Sequence, residues 1–219
     1  MSDLSVLIFR KCRTALRGGH HQSCLFHELR NVESMKVKSN DCVLLIIDVQ
    51  DRLIATISEH ESIVRNIIGL IKAAGVLGVP VLATEQEKLG ETVAEIKTLL
   101  SGLVFRKLVF SCCGSREFMT KLKQTGKRTV IACGIETHIC VEQTVLDLIK
   151  HHYHVLVVKD ATSSHATVDR ETAIERMNAS GAIITTTEAV IYELTERAGT
   201  EEFRKILKII KESRRGMGQ

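Results

Sequence analysis

The chain has 219 residues, 44% of them hydrophobic and 26% charged, with a formal net charge of +4. That length and balance suit one α/β domain with a sizeable core, and no apolar run nears the ~18 residues that span a bilayer. Residues 1–40 hold seven Lys/Arg against three Asp/Glu and the rest carries 23 of each; with 4% aromatics and no Trp, the balanced part offers little to a nucleic acid.

Residues 1–34 stand apart. Arg10, Lys11, Arg13 and Arg17 lie near a single acid, Asp3, and run into Gly18-Gly19-His20-His21. This reads as an N-terminal arm, either disordered or a non-native start ahead of Met35, with an organelle-targeting segment as the alternative. The domain proper is expected over 35–219. Val43–Ile47 is an apolar run of the kind found in buried parallel strands. Ile63, Ile67, Leu70, Ile71 and Ala74 follow at helical spacing, and Gly78 stops that helix before a second strand, Val79–Ala83. Thr92–Leu100 predicts a short helix and Leu103–Phe105 a third strand. Glu117–Lys123 reads as helix, Thr129–Cys133 as the fourth strand, and Val141, Val145, Leu148 and Ile149 as the inner stripe of another helix. Val155–Val158, a helix over Val168–Asn178, Ala182–Ile184, and helices over Glu188–Thr195 and Glu201–Lys211 complete the series. Strands alternating with helices predict a three-layer, doubly wound α/β fold: a mainly parallel six-stranded sheet with helices on both faces.

The seven cysteines show no C-x-x-C spacing, and Cys112 and Cys113 are adjacent. Free thiols in a reducing cytosol follow, rather than a disulfide scaffold or zinc knuckle, so a cytoplasmic location is expected.

In open α/β sheets, ligands bind beyond the carboxyl ends of strands, where strand order reverses. The predicted first strand ends in Asp48-Val49-Gln50, the second in Thr84-Glu85-Gln86 and the third in Arg106-Lys107. The fourth ends in Gly134, which leads to Cys140, and the fifth ends in Lys159-Asp160. In the order 3-2-1-4-5-6, Asp48 lies beside Cys140 with Lys107 in reach. A thiol in the first turn of a helix gains from the dipole, which favours thiolate. A carboxylate to take its proton, an ammonium beside it and N–H groups for an oxyanion make a workable nucleophilic site. Each residue alone also has a plain structural reading, as turn cap, solvated lysine or small core residue.

Leu44-Leu-Ile-Ile-Asp48-Val-Gln50-Asp-Arg52-Leu, Lys107-Leu-Val-Phe110-Ser111 and Cys133-Gly134-Ile-Glu-Thr-His-Ile-Cys140-Val together resemble the isochorismatase-like cysteine hydrolases. The similarity runs from about Asp41 to Arg197 and takes in Asp160-Ala161 with Ser163-Ser164. It implies Asp48 as general base and later acid, Lys107 as electrostatic partner and Cys140 as nucleophile. It further implies a cis peptide between Ile135 and Glu136, and an oxyanion hole from the N–H groups of Glu136 and Cys140. Nicotinamidases of this family bind a metal through an Asp-x-His and a second His after strand two. This chain has Thr84-Glu85-Gln86-Glu87-Lys88-Leu89-Gly90 there, so no metal and no cofactor is expected.

Gln86 and Phe110 are candidate substrate contacts by location. His151, His152 and His154 read as a solvated cluster, His138 as a pocket or surface residue, Cys133 as packed core, and Cys112-Cys113 as pocket rim. The expected function is hydrolysis of a small amide or related C–N substrate through a Cys140 thioester. Vinyl-ether hydrolysis with Asp48 as acid is one alternative, and a catalytically silent oligomeric binding protein is the other. The expected partners are a small-molecule substrate and further copies of the chain, with no nucleic acid and no membrane. The apolar last helix (Phe203, Ile206, Leu207, Ile209, Ile210) is the guessed contact between copies.

Overall fold

The computed structural model describes residues 36–102 and 104–215; the arm expected over 1–34 lies outside them, and the sheet and its helices belong to the compact unit that begins at Val37. Strands β1 (Cys42–Ile47), β2 (Val81–Gln86), β3 (Val104–Lys107), β4 (Thr129–Ile135), β5 (His154–Ser163) and β6 (Ile183–Thr185) form one sheet. Their order is β3-β2-β1-β4-β5-β6 and every pairing is parallel. Among the described residues the α-helices are α1 (Asp51–Ile54), α2 (His60–Leu77), α3 (Ala94–Lys97), α4 (Arg116–Gln124), α5 (Glu142–Lys150), α6 (Thr167–Ala179), α7 (Thr187–Thr195) and α8 (Glu201–Arg215).

Alternate residues of β1 serve opposite faces. Leu44 and Ile46 pack with Ile63 and Ile67 of α2, Val190 and Ile191 of α7, and Ile206 and Ile210 of α8. Val43, Leu45 and Ile47 pack with Phe118 and Leu122 of α4, Val145 and Leu148 of α5, and Met177 of α6. Burying each such side chain contributes about 1.5–3 kcal/mol, well above the spread of local propensities within about 1 kcal/mol. Two-sided burial therefore explains the unbroken apolar run, and the α/β/α layering matches expectation.

Several boundaries differ. The helix expected over Thr92–Leu100 shrinks to the single turn α3, because Glu85 Oε1 accepts hydrogen bonds from both the N–H and the hydroxyl of Thr92 (2.7 and 2.8 Å). Thr92 also bridges Gln50, which keeps the chain extended up to Val93. The second and third strands run further than their apolar cores, so Thr84, Gln86 and Lys107 lie within strands. β5 has 10 residues and so runs well past the expected Val155–Val158: its register against β4 shifts between Ala132 and Gly134 and then resumes at Thr162 and Ser163. Lys159 and Asp160 therefore fall inside β5 rather than at its end. Lys159 Nζ pairs with Glu171 (2.9 Å), and Asp160 Oδ1 accepts from the N–H and hydroxyl of Thr187 at the start of α7 (2.7 and 2.9 Å). In the last helix Ile206 and Ile210 are buried within their own chain, so α8 covers α2 and α7, while Phe203, Leu207 and Ile209 stay partly exposed. Among the described residues the large exposed apolar side chains are Leu99, Leu108, Val109, Phe110 and Val168. No helix among the described residues is long and apolar enough to cross a membrane.

Candidate active site

The carboxyl ends of β1, β3 and β4 converge where the strand order reverses. Asp48 follows β1 with φ +51°, and its N–H donates to Thr84 O across the gap to β2 (3.2 Å). The side chains of Asp48 and Lys107 are wholly buried, with Lys107 Nζ 2.6 Å from Asp48 Oδ2. The ammonium also donates to Gln86 Oε1 (2.9 Å), Phe110 O (2.9 Å) and Val109 O (3.3 Å). Four acceptors surround its three protons, so the cation is held by the protein alone. Burial acts to lower the Lys107 pKa. The charge of Asp48, aided by Cys112, by its hydrogen bond with Asp48 and by Cys140, outweighs burial and raises it.

Cys140 stands 5% exposed in a wide turn, Thr137–Val141, that precedes α5. The turn is wide because Glu136 O accepts from both Ile139 N and Val141 N (each 3.2 Å). The thiol expected in the first turn of a helix lies in this wide turn, which runs straight on into α5, but burial opposes the thiolate expected there. Burial first, then the facing Asp48 carboxylate, push the Cys140 pKa far above the usual thiol range, with Lys107 opposing.

The peptide between Ile135 and Glu136 is cis. Among the described residues, no backbone hydrogen bond uses the Glu136 N–H. Gly134, just upstream, has φ +129°, and a Cβ there would lie 2.0 Å from Ile47 O. Only glycine lets β4 approach β1 this closely, and the approach brings the Cys140 turn to Asp48.

Gln86 and Phe110, expected as substrate contacts, act on Lys107 through the Gln86 side chain and the Phe110 carbonyl. Gln86 Nε2 donates to Leu108 O (2.8 Å), and the Phe110 residue is 53% exposed beside the site. His138 Nδ1 lies 2.9 Å from Ser164 Oγ, with Glu136 and Asp169 nearby. Cys133 is buried, as expected. His151, His152 and His154 are exposed, and no cluster of three or more His/Cys/Asp/Glu suited to a metal exists among the described residues.

Sequence reasoning gave no role to three residues. Thr84 Oγ1 donates to Asp48 Oδ1 (2.8 Å). Gln50, fully buried, clamps β2 by accepting from Gln86 N (2.8 Å) and donating to Gln86 O (2.9 Å) and Gly90 O (2.7 Å). Thr144 Oγ1 donates to Cys140 O (2.6 Å) and accepts from Cys112 N (2.9 Å). One signal was available: Thr84 and Gln86 are two apart on a strand and so share a face, while Glu85 turns away to Thr92.

A parallel 3-2-1-4-5-6 sheet with a carboxylate, an ammonium and a thiol gathered at its switch point is a doubly wound α/β architecture with a polar site in its crevice. The Isochorismatase domain family model matches residues 42–189, and the chain belongs to that family, which points to a hydrolase. It is 40% identical over 179 residues to the secreted isochorismatase effector Isc1 of Phytophthora sojae (strain P6497), covering 78% of this chain and 84% of the relative. Two solved structures are also similar. One, described as MAR1 ribonuclease from Caenorhabditis elegans, has a TM-score of 0.76 and 35% identity, covering 80% of this chain and 92% of that one. The other, YcaC from Pseudomonas aeruginosa with hexane-2,5-diol and covalent acrylamide, has a TM-score of 0.75 and 25% identity, covering 84% and 96%.

Proposed function

We propose that this protein is a cysteine hydrolase that cleaves a small amide or related C–N bond through a thioester on Cys140. The observation that carries this reading is the buried Lys107–Asp48 ion pair beside the buried Cys140 thiol. As Cys140 Sγ attacks the carbonyl carbon, its proton passes to Asp48, and the oxyanion is held by the N–H groups of Glu136 and Cys140. Asp48 then protonates the leaving nitrogen, and the C–N bond breaks to leave the thioester. Water enters, gives a proton to Asp48, and adds to the acyl carbon. Collapse releases the acid, and the sulfur regains the proton. Lys107 holds the Asp48 carboxylate in place through its Nζ–Oδ2 contact while protons pass to and from it.

A phosphodiester is the second substrate class, on the description of the Caenorhabditis elegans relative; the balanced charge of residues 41–219 favours a small neutral substrate instead. The chain is read as self-associating through the exposed Leu108, Val109 and Phe110 loop, which light scattering tests. The described cysteines are all free, which suits a reducing compartment.

The test is turnover of an amide panel, a vinyl ether and an RNA oligonucleotide by wild type, Cys140→Ala and Asp48→Asn. Amide turnover lost in both variants supports the thioester. Turnover that survives Cys140→Ala and vanishes in Asp48→Asn moves the reading to ether cleavage. No turnover of any substrate moves it to a silent binding protein.

A further inference from the structure

Thr84 Oγ1 stands between two groups, 2.8 Å from Asp48 Oδ1 and 3.6 Å from Cys112 Sγ. All three residues are buried. A hydroxyl has one proton to give and lone pairs to accept with, and a thiol is both a weak donor and a weak acceptor. While Asp48 is a carboxylate, the Thr84 proton goes to Oδ1 and the Cys112 S–H is left to donate to Thr84. When Asp48 carries a proton on Oδ1, the hydroxyl turns, accepts from the acid and donates to Cys112 Sγ. No bond breaks; only the direction of two hydrogen bonds reverses.

We infer that Cys112 and Thr84 form a reversible hydrogen-bond relay that positions Asp48 and fits it as carboxylate and as acid alike. This deepens the proposed function and rests on its assignment of Asp48 as base and then acid. Both are positioning residues, acting through Asp48 and not on substrate. The frame supports the relay from both sides. Thr84 is paired in register with Ile47, and its carbonyl accepts the Asp48 N–H. Cys112 is tied through Thr144 to the carbonyl of Cys140, so the relay spans from β2 to the nucleophile's turn. The titratable groups that face Asp48 are Lys107 from β3, Cys112 from the turn before α4, and Cys140. Lys107 occupies Oδ2, which leaves Oδ1 to the relay. Burial keeps the Cys112 thiol neutral, with its pKa pushed up to about 11, so it lends hydrogen bonding without adding charge.

The test measures alkylation of Cys140 by iodoacetamide across a pH series, read by peptide mass spectrometry on the full chain. A hydrogen bond donated to a carboxylate favours its charged form, so removing it moves the acid limb of alkylation upward, by about one pH unit for Thr84→Val. Thr84→Ser retains the wild-type limb, and Cys112→Ala moves it in the same direction by less. On an Asp48→Asn background, Thr84→Val changes nothing. The inference is overturned if the limbs of Thr84→Val and Cys112→Ala coincide with wild type, or if Thr84→Val shifts the limb equally with Asn at 48. Should Thr84→Val not fold, Cys112→Ala alone decides by the same comparison. Failure of the thioester reading shows separately, as turnover that survives Cys140→Ala, and leaves the alkylation comparison standing.

Discussion

Replacing Gly134 with alanine probes the closeness of β1 and β4 on which the site depends. The added Cβ would meet Ile47 O at 2.0 Å and Ile47 C and N at 2.7 Å each, where ordinary carbon contacts are about 3.5–4.0 Å. Each of these atoms belongs to main chain in the middle of a ladder, so none can swing aside. Two costs add. Holding a residue with a side chain at φ +129° costs about 1–3 kcal/mol, and forcing apart a packed region costs about 1–3 kcal/mol more. The sum, about 2–6 kcal/mol, is a large part of a typical stability of about 5–15 kcal/mol. Gly181 supplies the control, because it has φ +103° with nothing within 4 Å of a built Cβ. Gly181→Ala therefore carries the backbone cost without the clash. Equilibrium urea unfolding of the two variants isolates the steric part, and Gly134→Ala should be less stable than Gly181→Ala by about 1–3 kcal/mol. Cys140 alkylation should change only in the Gly134 variant, since Asp48 is the residue next to Ile47. Equal unfolding midpoints would refute the claim that close approach, rather than backbone angle, demands glycine here.

Lys107→Met should destabilise by about 3–5 kcal/mol, because it leaves Asp48 buried without its cation; a loss below about 1 kcal/mol in urea unfolding would show the pair to be hydrated. Gln50→Leu removes three buried hydrogen bonds at about 1 kcal/mol each and loosens Gln86 under Lys107, so lowered stability and slower Cys140 alkylation should appear together. Alkaline pH should weaken the fold. Burial raises Cys42 from 9.0 to about 12 and Cys112 from 9.0 to about 11; raised folded values mean that the unfolded chain releases these protons first. Their stabilising contribution is thus complete below about pH 9 and declines as pH climbs toward 11 and 12. Urea midpoints should fall between about pH 8.5 and pH 10.5, with a shallower fall in Cys42→Ala.

The sequence carried most of the architecture because β1 and β4 are buried on both faces, and such strands read as unbroken apolar runs. Asp48 and Lys107 were legible for the same reason, since a strand end is visible where an apolar run meets a polar residue, and Cys140 follows the run that ends at Gly134. β5 escaped in part because Lys159 and Asp160 interrupt its pattern, although the ladder resumes beyond them against Gly134 and Ile135. The wide turn at Cys140 left no trace in residue type, since it depends on one carbonyl, that of Glu136, accepting two N–H groups. Gln50 was hidden more deeply. A glutamine after a strand resembles any solvated residue until the fold surrounds it with Gln86 and Gly90.

Two of the oxygens that hold the Lys107 ammonium are main-chain carbonyls of Val109 and Phe110, residues whose side chains face outward. Every amino acid carries the same carbonyl. The surface of this loop is therefore free to diverge in shape, greasiness or bulk, and so to be matched to different ligands or neighbours, while the buried cation keeps an unchanged coordination sphere as long as the loop follows the same path.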